Sequence, residues 1–168
     1  MSDETNLLYL ERSKEKPIPG DIFVMQLPDR SYIFGRVILS EPPREFAPGP
    51  SCILVYIYAD RHKGTLPVYS AMTPKNLLIP PEWTNRQGWK NGVFMTVDHV
   101  PLKPSDLLEQ HCFRDPVPKF GVQYRDERGA PLRRRFEPCG EWGLGSYRLI
   151  DDEISRALGI PLAESDQR

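Results

Sequence analysis

Residues 19–38, PGDIFVMQLPDRSYIFGRVI, constrain the fold more than any other stretch of this chain. The segment Asp21–Leu27 is rich in residues that favour strands. Pro28–Ser31 has the chemistry of a turn, because proline presets its own φ and an aspartate side chain accepts hydrogen bonds from the backbone that follows it. Tyr32–Leu39 then alternates as a returning strand, in which Gly35 indicates a bulge or a close approach of another group. The stretch therefore predicts an antiparallel β-hairpin.

Most of the chain after this hairpin consists of short apolar runs separated by prolines. Residues 51–58, SCILVYIY, are apolar on both faces, as expected of a central strand. Shorter strand candidates lie at 74–81 and 93–100, and residues 120–136 are expected to form a hairpin about Asp126–Gly129. The 18 prolines argue against long helices. These features predict a fold dominated by short antiparallel strands.

One segment near the C-terminal end has helical spacing. Ile150, Ile154 and Leu158 fall on one helical face, and Gly159 fits the position just after the last turn. The acidic run Asp151–Glu153 favours the start of this helix. We therefore predict an α+β fold, in which a mostly antiparallel arrangement of about six to eight short strands forms a curved sheet or a partly open barrel beside one C-terminal helix.

The length of 168 residues suits a single domain. We assign this domain to residues 17–160, with an N-terminal arm at 1–16 and a polar tail at 161–168. The arm is charged from its third residue, which argues against a signal peptide, and no segment approaches the ~20 apolar residues needed to span a bilayer. A cytoplasmic protein without membrane contact is therefore expected.

The cysteines and the charge balance both limit the function classes. Three cysteines at unrelated spacings do not make a disulfide framework, so a reducing compartment is expected. The 22 basic and 23 acidic residues give a net charge of −1, which is unlike the basic footprint of a nucleic-acid binder. The run Arg133–Arg135 could contact phosphates, but acidic residues close to it favour a solvated hairpin arm. RNA binding is kept only as an open alternative.

The sequence shows no complete catalytic motif. The three histidines, His62, His99 and His111, lack the spacing of metal ligands, although the fold could bring them together around a zinc ion. His111 and Cys112 are neighbours, but a nucleophile needs its base within hydrogen-bond reach, which adjacency in sequence does not supply. The glycines within 143–145 match only the first half of a dinucleotide fingerprint. We therefore predict no catalytic residue and no cofactor.

An aromatic strand face is the candidate for binding another protein. If the first hairpin and the 51–58 strand share a sheet, a row of aromatic and basic side chains comes together on one face; its members are Tyr32, Phe34, Arg36, Tyr56 and Tyr58. Tyrosine and arginine are enriched at the energetic centres of protein interfaces. The alternative is that this face packs beneath the C-terminal helix, with the tyrosine hydroxyls reaching solvent.

The first hairpin also resembles a known family. PGDIFVMQLPDRSYIFGRV, followed in order by ILVYIY, NLLIPP and GVFMTV, is similar to the immunity protein 26 family of bacterial polymorphic toxin systems, over roughly residues 17–100. The resemblance implies a small cytoplasmic antidote that binds a cognate toxin domain and blocks it without catalytic groups. Some sequences of this type are labelled small phosphotriesterases. The alternative is therefore a metal-dependent hydrolase of organophosphate triesters, with His62, His99 and His111 as ligands. The oligomeric state is left open.

Overall fold

The computed structural model describes residues 5–164. Its strands are β1 Asp21–Gln26, β2 Tyr32–Ser40, β3 Ile53–Ile57, β4 Glu82–Thr84, β5 Met95–His99, β6 Cys112–Val117, β7 Gly121–Arg125 and β8 Cys139–Glu141. Its α-helices are α1 Gln87–Lys90 and α2 Tyr147–Leu158, and its 3-10 turns are Arg44–Phe46, Tyr69–Ala71 and Pro104–Asp106.

The eight strands form two open sheets. The main sheet has five strands in the order β4-β3-β2-β1-β5, and the second sheet has three in the order β7-β6-β8. Every strand pair is antiparallel except β6 with β8, which is parallel. The predicted α+β class, with mostly antiparallel strands and one main C-terminal helix, is confirmed.

The predicted first hairpin is β1 with β2, and its glycine allows a close approach. Phe23 lies opposite Gly35 in the register, and a Cβ atom at Gly35 would overlap the Phe23 ring. The register between β2 and β3 shifts between Val37 and Leu39. This irregularity turns Leu39 to the opposite face from Val37, whereas simple alternation placed both on the same face.

Both faces of the main sheet are covered. On one face, Phe23, Ile33 and Val37 pack with the α2 residues Ile150 and Ile154. On the other face, the buried cluster that holds Phe34 and Tyr56 also contains Phe113 from the second sheet. The main sheet therefore lies between helix α2 and the second sheet, and the side chains of its central strands are removed from water.

Helix α2 begins at Tyr147, and its acidic run lies beyond the first turn. Ser146 is the N-cap, and its Oγ accepts a hydrogen bond of 3.2 Å from the backbone N–H of Leu149. Asp151 is instead buried in the helix, where its carboxylate accepts the backbone N–H groups of Asn6 and Leu7 at 2.9 and 2.8 Å. The helix ends at Gly159, which has a φ of 69°, as predicted. The acidic residue thus anchors the N-terminal segment rather than starting the helix.

The second sheet contains one hairpin that the sequence did not predict and one chain reversal that it did. Strands β6 and β7 join at residues 118–120, with Val117 opposite Gly121, which was not predicted. The chain reverses again about Asp126–Gly129, as predicted, where Arg125 and Pro131 form an isolated antiparallel bridge and the Leu132 N–H donates to the carbonyl of Tyr124 at 2.7 Å. The ends of the predicted arm and tail, 1–4 and 165–168, lie outside the described residues. Within residues 5–164, no helix is long and apolar enough to cross a membrane.

Candidate partner-binding surface

The aromatic face predicted to bind a partner lies in the interior. Phe34, Arg36, Tyr56 and Tyr58 are buried, and Tyr32 is half-buried. The alternative, packing beneath the C-terminal helix, is wrong for this face, because α2 covers the opposite side of the sheet and the aromatic face packs toward Phe113. A buried side chain adds no area to an interface, so contact between these five residues and a partner stays a prediction.

A hydrogen-bonded relay connects Tyr56 to the second sheet. The Tyr56 hydroxyl accepts the Leu108 backbone N–H at 3.1 Å and lies 2.6 Å from Nε2 of His111. Nδ1 of His111 lies 3.2 Å from a carboxylate oxygen of Glu127. Burial raises the pKa of Tyr56 to about 12, so that its hydroxyl keeps its proton at neutral pH. The hydrogen bond from His111 lowers the pKa of Glu127. The relay therefore holds a surface turn against strand β3.

Arg36 holds the segment of residues 100–106 against the main sheet. One terminal nitrogen donates to the carbonyl of Val100 at 2.8 Å, and the other pairs with the Asp106 carboxylate at 3.3 Å. Asp106 also accepts the backbone N–H of Lys103 at 2.9 Å. Because both charged side chains are mostly buried, removing one would leave the other without compensation in a poorly solvated place. Arg36 and Tyr56 thus act from the interior, by holding residues 100–111 in position.

The three histidines have separate partners. His62 pairs with Tyr32 through the backbone, and its ring lies 5.1 Å from that of Phe34. His99 lies 2.8 Å from the carboxylate of Asp21, while His111 belongs to the Tyr56 relay. Within residues 5–164, no group of three or more His, Cys, Asp or Glu side chains is arranged to hold a metal ion. The phosphotriesterase alternative therefore receives no support from this geometry.

A cleft of about 370 Å³ between β8 and α2 holds a carboxyl pair that the sequence analysis missed. Glu82 is buried there, and burial followed by the hydrogen bond to Glu153 raises its pKa well above the usual range. Glu82 therefore stays protonated at neutral pH and donates to Glu153. In the sequence, the burial of Glu82 is indicated only by the short strand pattern of Glu82, Trp83 and Thr84. The two prolines before it obscure that pattern. The two carboxyl groups therefore hold one proton between them inside the fold.

The outer part of the second sheet carries an exposed apolar and basic surface. Phe120 is 77% exposed at the tip between β6 and β7, and residues 119–135 contain six basic but only two acidic residues. We define the hairpin surface by its exposed side chains Lys119, Phe120, Val122, Arg128, Arg133 and Arg134. Among residues 5–164, its arginines make no ion pair, while the Arg134 guanidinium lies 3.9 Å from the ring centroid of Phe136.

Polar contacts fix the shape of this surface. Nε of Arg125 donates to Asp115 across the strand pair at 2.6 Å, and its Nη1 donates to the carbonyl of Gly129 at 3.0 Å. The Asp126 carboxylate accepts the backbone N–H groups of Arg128 and Ala130, both at 2.9 Å. A surface whose backbone is ordered before binding loses less conformational entropy on binding. The hairpin surface has this property, and its residues lie almost entirely beyond the strands that the sequence analysis considered for binding.

Comparison with known proteins identifies the family. The family model for immunity protein 26 matches residues 18–118, which is more than half of the chain and includes the whole main sheet and strand β6. No curated protein and no solved structure matches the chain. The matched segment contains the first hairpin and the central strand on which the sequence resemblance was based. This chain belongs to the immunity protein 26 family.

Proposed function

We propose that this protein neutralises a bacterial toxin by binding the toxin domain and covering its active site, without a reaction of its own. Membership of the immunity protein 26 family supports the proposal. The observation that carries it is the hairpin surface, where an exposed aromatic ring and arginines that form no ion pair within residues 5–164 lie on a hairpin held by polar contacts. A cytoplasmic antidote is in keeping with the three free cysteines, since thiols stay reduced in that compartment.

Phe120 is the apolar anchor of the proposed interface. Aromatic residues are enriched in the buried centre of protein interfaces, and the exposed ring of Phe120 gains most from being covered. The loop at Arg44–Phe46 adjoins this area, because the Arg128 guanidinium lies 5.0 Å from the ring centroid of Phe46. The hairpin surface and the Arg44–Phe46 loop are together the candidate interface. In an interface of standard size, each partner buries roughly 800 Å².

The arginines favour an acidic surface on the toxin domain. Arg128, Arg133 and Arg134 can each make charge-assisted hydrogen bonds with carboxylates, and their planar groups suit bidentate contacts. Complementary charge mainly accelerates association and excludes wrong partners. Salt screens exposed charges over about 8 Å at physiological ionic strength, so we expect the association rate to fall as salt is added.

The test uses the full chain together with the toxin domain encoded beside its gene. We expect bacteria that express this domain to survive only when the chain is co-expressed, and we expect the two proteins to purify as one complex. Absence of both the rescue and the complex would contradict the proposed function.

Variants locate the interface. We expect Phe120→Ala, and the double change Arg133→Glu with Arg134→Glu, each to weaken binding at least tenfold, which is about 1.4 kcal/mol. The thermal midpoint should stay unchanged, because these side chains are exposed. Lys75→Glu reverses an exposed charge outside the hairpin surface and should bind like the parent. A complex that tolerates the hairpin variants as well as it tolerates Lys75→Glu would contradict this surface as the interface.

A further inference from the structure

Cys112 and Cys139 are brought together by the one parallel strand pair. They are partners in the register of β6 and β8, and their sulfur atoms lie 3.3 Å apart. Both are free cysteines, 27 positions apart in sequence. Neighbouring strands lie about 4.8 Å apart, which is within the Cα separation of about 4.4–6.8 Å that a disulfide spans. The two thiols can therefore be joined with little movement of the backbone.

The cleft beside α2 gives access to one of the two sulfurs. Cys112 is buried, whereas Cys139 is half-buried and lines the cleft of about 370 Å³. Burial, followed by the neighbouring Cys112 thiol, raises the pKa of Cys139 to about 12. The thiol therefore keeps its proton at neutral pH and reacts slowly, since the thiolate is the nucleophile. Cys52, the third cysteine, is buried in the other cluster of the main sheet and is not part of the β6–β8 strand pair.

We propose that Cys112 and Cys139 form a redox site, which a disulfide oxidant such as oxidised glutathione converts into an intramolecular disulfide. The Cys139 thiolate attacks one sulfur of the oxidant, breaks its S–S bond and releases one glutathione thiolate. Cys112 loses its proton to solvent and attacks the Cys139 sulfur of the mixed disulfide, which releases the second glutathione. The protein loses two protons and two electrons, and the oxidant gains both electrons.

The new bond would close the loop that carries the hairpin surface. Residues between 112 and 139 include β7, the turn at 126–129 and the exposed arginines, so oxidation ties this part of the chain at both ends. A disulfide restricts the unfolded chain, and for a loop of this length the expected gain in thermal midpoint is roughly 5–15 °C. Any effect of oxidation on toxin binding rests on the proposed function, whereas bond formation and the gain in thermal midpoint do not.

The experiment treats the reduced full chain with oxidised glutathione at pH 8.5 and pH 7. After alkylation, we expect mass spectrometry to find the loss of two hydrogens, a tryptic peptide pair linked through Cys112 and Cys139, and one alkylated cysteine. The thermal midpoint should rise without reductant and return when reductant is added. The disulfide should form faster at pH 8.5 than at pH 7, because a larger fraction of the thiol is ionised.

Two variants separate this site from other thiol reactions. Cys52→Ser should still form the bond, and Cys139→Ser should not gain thermal stability from the oxidant. Three alkylated cysteines after oxidation of the parent protein would overturn the proposal. A bond that includes Cys52, or glutathione held on Cys139 without release, would overturn it as well, and these results do not depend on whether a toxin binds.

Discussion

The two sheets differ in how their faces are covered. In the main sheet, β2 is buried from Ile33 to Ile38 and β3 along its whole length. In the second sheet, Cys112 and Phe113 are buried, but every residue of β7 is exposed or half-buried. A strand that is covered on both faces can tolerate few changes, whereas a strand that is open on one side can vary its surface without losing the core. The main sheet thus acts as the scaffold, and the second sheet displays surface residues.

The forces that hold the two sheets also differ. Apolar burial contributes about 25 cal/mol per Å², and this term dominates in the main sheet, where aromatic and branched side chains pack on both faces. The outer hairpin, formed by β6 and β7, depends more on half-buried polar contacts such as the ion pair of Arg125 with Asp115. We therefore expect the outer hairpin to open before the main sheet does.

The largest expected effect comes from two phenylalanines of the same hairpin. Phe113 is fully buried beside Trp83, at a ring distance of 5.8 Å, whereas Phe120 is 77% exposed. Phe113→Ala should lower the free energy of unfolding by about 3–5 kcal/mol, because it removes buried area and leaves a cavity. Phe120→Ala should change it by less than about 0.5 kcal/mol. Urea denaturation measures the free energy of unfolding of both variants. Equal losses would show that Phe113 and Phe120 are equally exposed or equally buried.

A second prediction tests how tightly the main sheet is packed. Gly35→Ala places a methyl group into the Phe23 ring, which is itself confined by Trp89 and Phe94 at ring distances of 5.1 and 5.2 Å. We expect a loss of about 2–3 kcal/mol in the free energy of unfolding.

The control for this change is Gly143→Ala, because a Cβ atom there meets nothing within 4 Å. It should leave the thermal midpoint nearly unchanged. A Gly35→Ala protein that is as stable as its Gly143→Ala counterpart would mean that the Phe23 ring can move aside.

The sequence predicted the features that depend on neighbouring residues. The first hairpin follows from strand-forming residues on both sides of the Pro28–Ser31 turn, and the end of α2 follows from Gly159. Both depend on local preferences, which a single sequence contains. The acidic run 151–153 was interpreted by its charge as favouring the helix start, whereas Asp151 binds the backbone of Asn6 and Leu7 from a distant part of the chain.

The sequence could not predict which elements cover which face. Alternation places Phe34 and Ile33 on opposite sides of β2, but it does not say that α2 covers one side and the second sheet the other. Tyr56 and Arg36 were candidates for a partner-binding face because tyrosine and arginine are enriched at interfaces, and only the partners His111 and Asp106, which lie far along the chain, explain their burial. The Cys112 and Cys139 pair likewise depends on a long-range parallel pairing.

A third prediction concerns the relay that joins the two sheets. Tyr56→Phe keeps the buried ring but removes the hydroxyl, so that the Leu108 N–H and Nε2 of His111 both lose a partner. We expect a loss of about 2 kcal/mol in the free energy of unfolding, since buried polar groups without hydrogen bonds are costly. Tyr124→Phe on the half-buried strand β7 is the matched control and should cost less than about 0.5 kcal/mol. Similar costs for both would indicate that water replaces the relay.

The smallest expected effect lies at the corner where β4 of the main sheet meets the second sheet, and it depends on pH. Burial, followed by the hydrogen bond to Glu153, raises the pKa of Glu82 well above the 4.5 that is usual for a glutamate in water. Above that value the unfolded chain releases the proton, while the folded chain keeps it. The contribution of Glu82 to stability is therefore complete at low pH and is lost as the pH rises through the window between the two pKa values.

Glu82→Gln removes this titration and keeps a donor for Glu153, so its gain over the parent should grow from near zero at pH 4 to about 1–2 kcal/mol at pH 5.5–6. Urea midpoints measured at several pH values give the slope of stability against pH for Glu82→Gln and for the parent. Glu45→Gln, in which the replaced side chain is exposed and lies outside this cleft, should leave the slope of the parent unchanged. Parallel slopes for Glu82→Gln and the parent would mean that Glu82 ionises inside the fold at its ordinary pKa, and that water reaches the corner between the sheets as freely as it reaches β7.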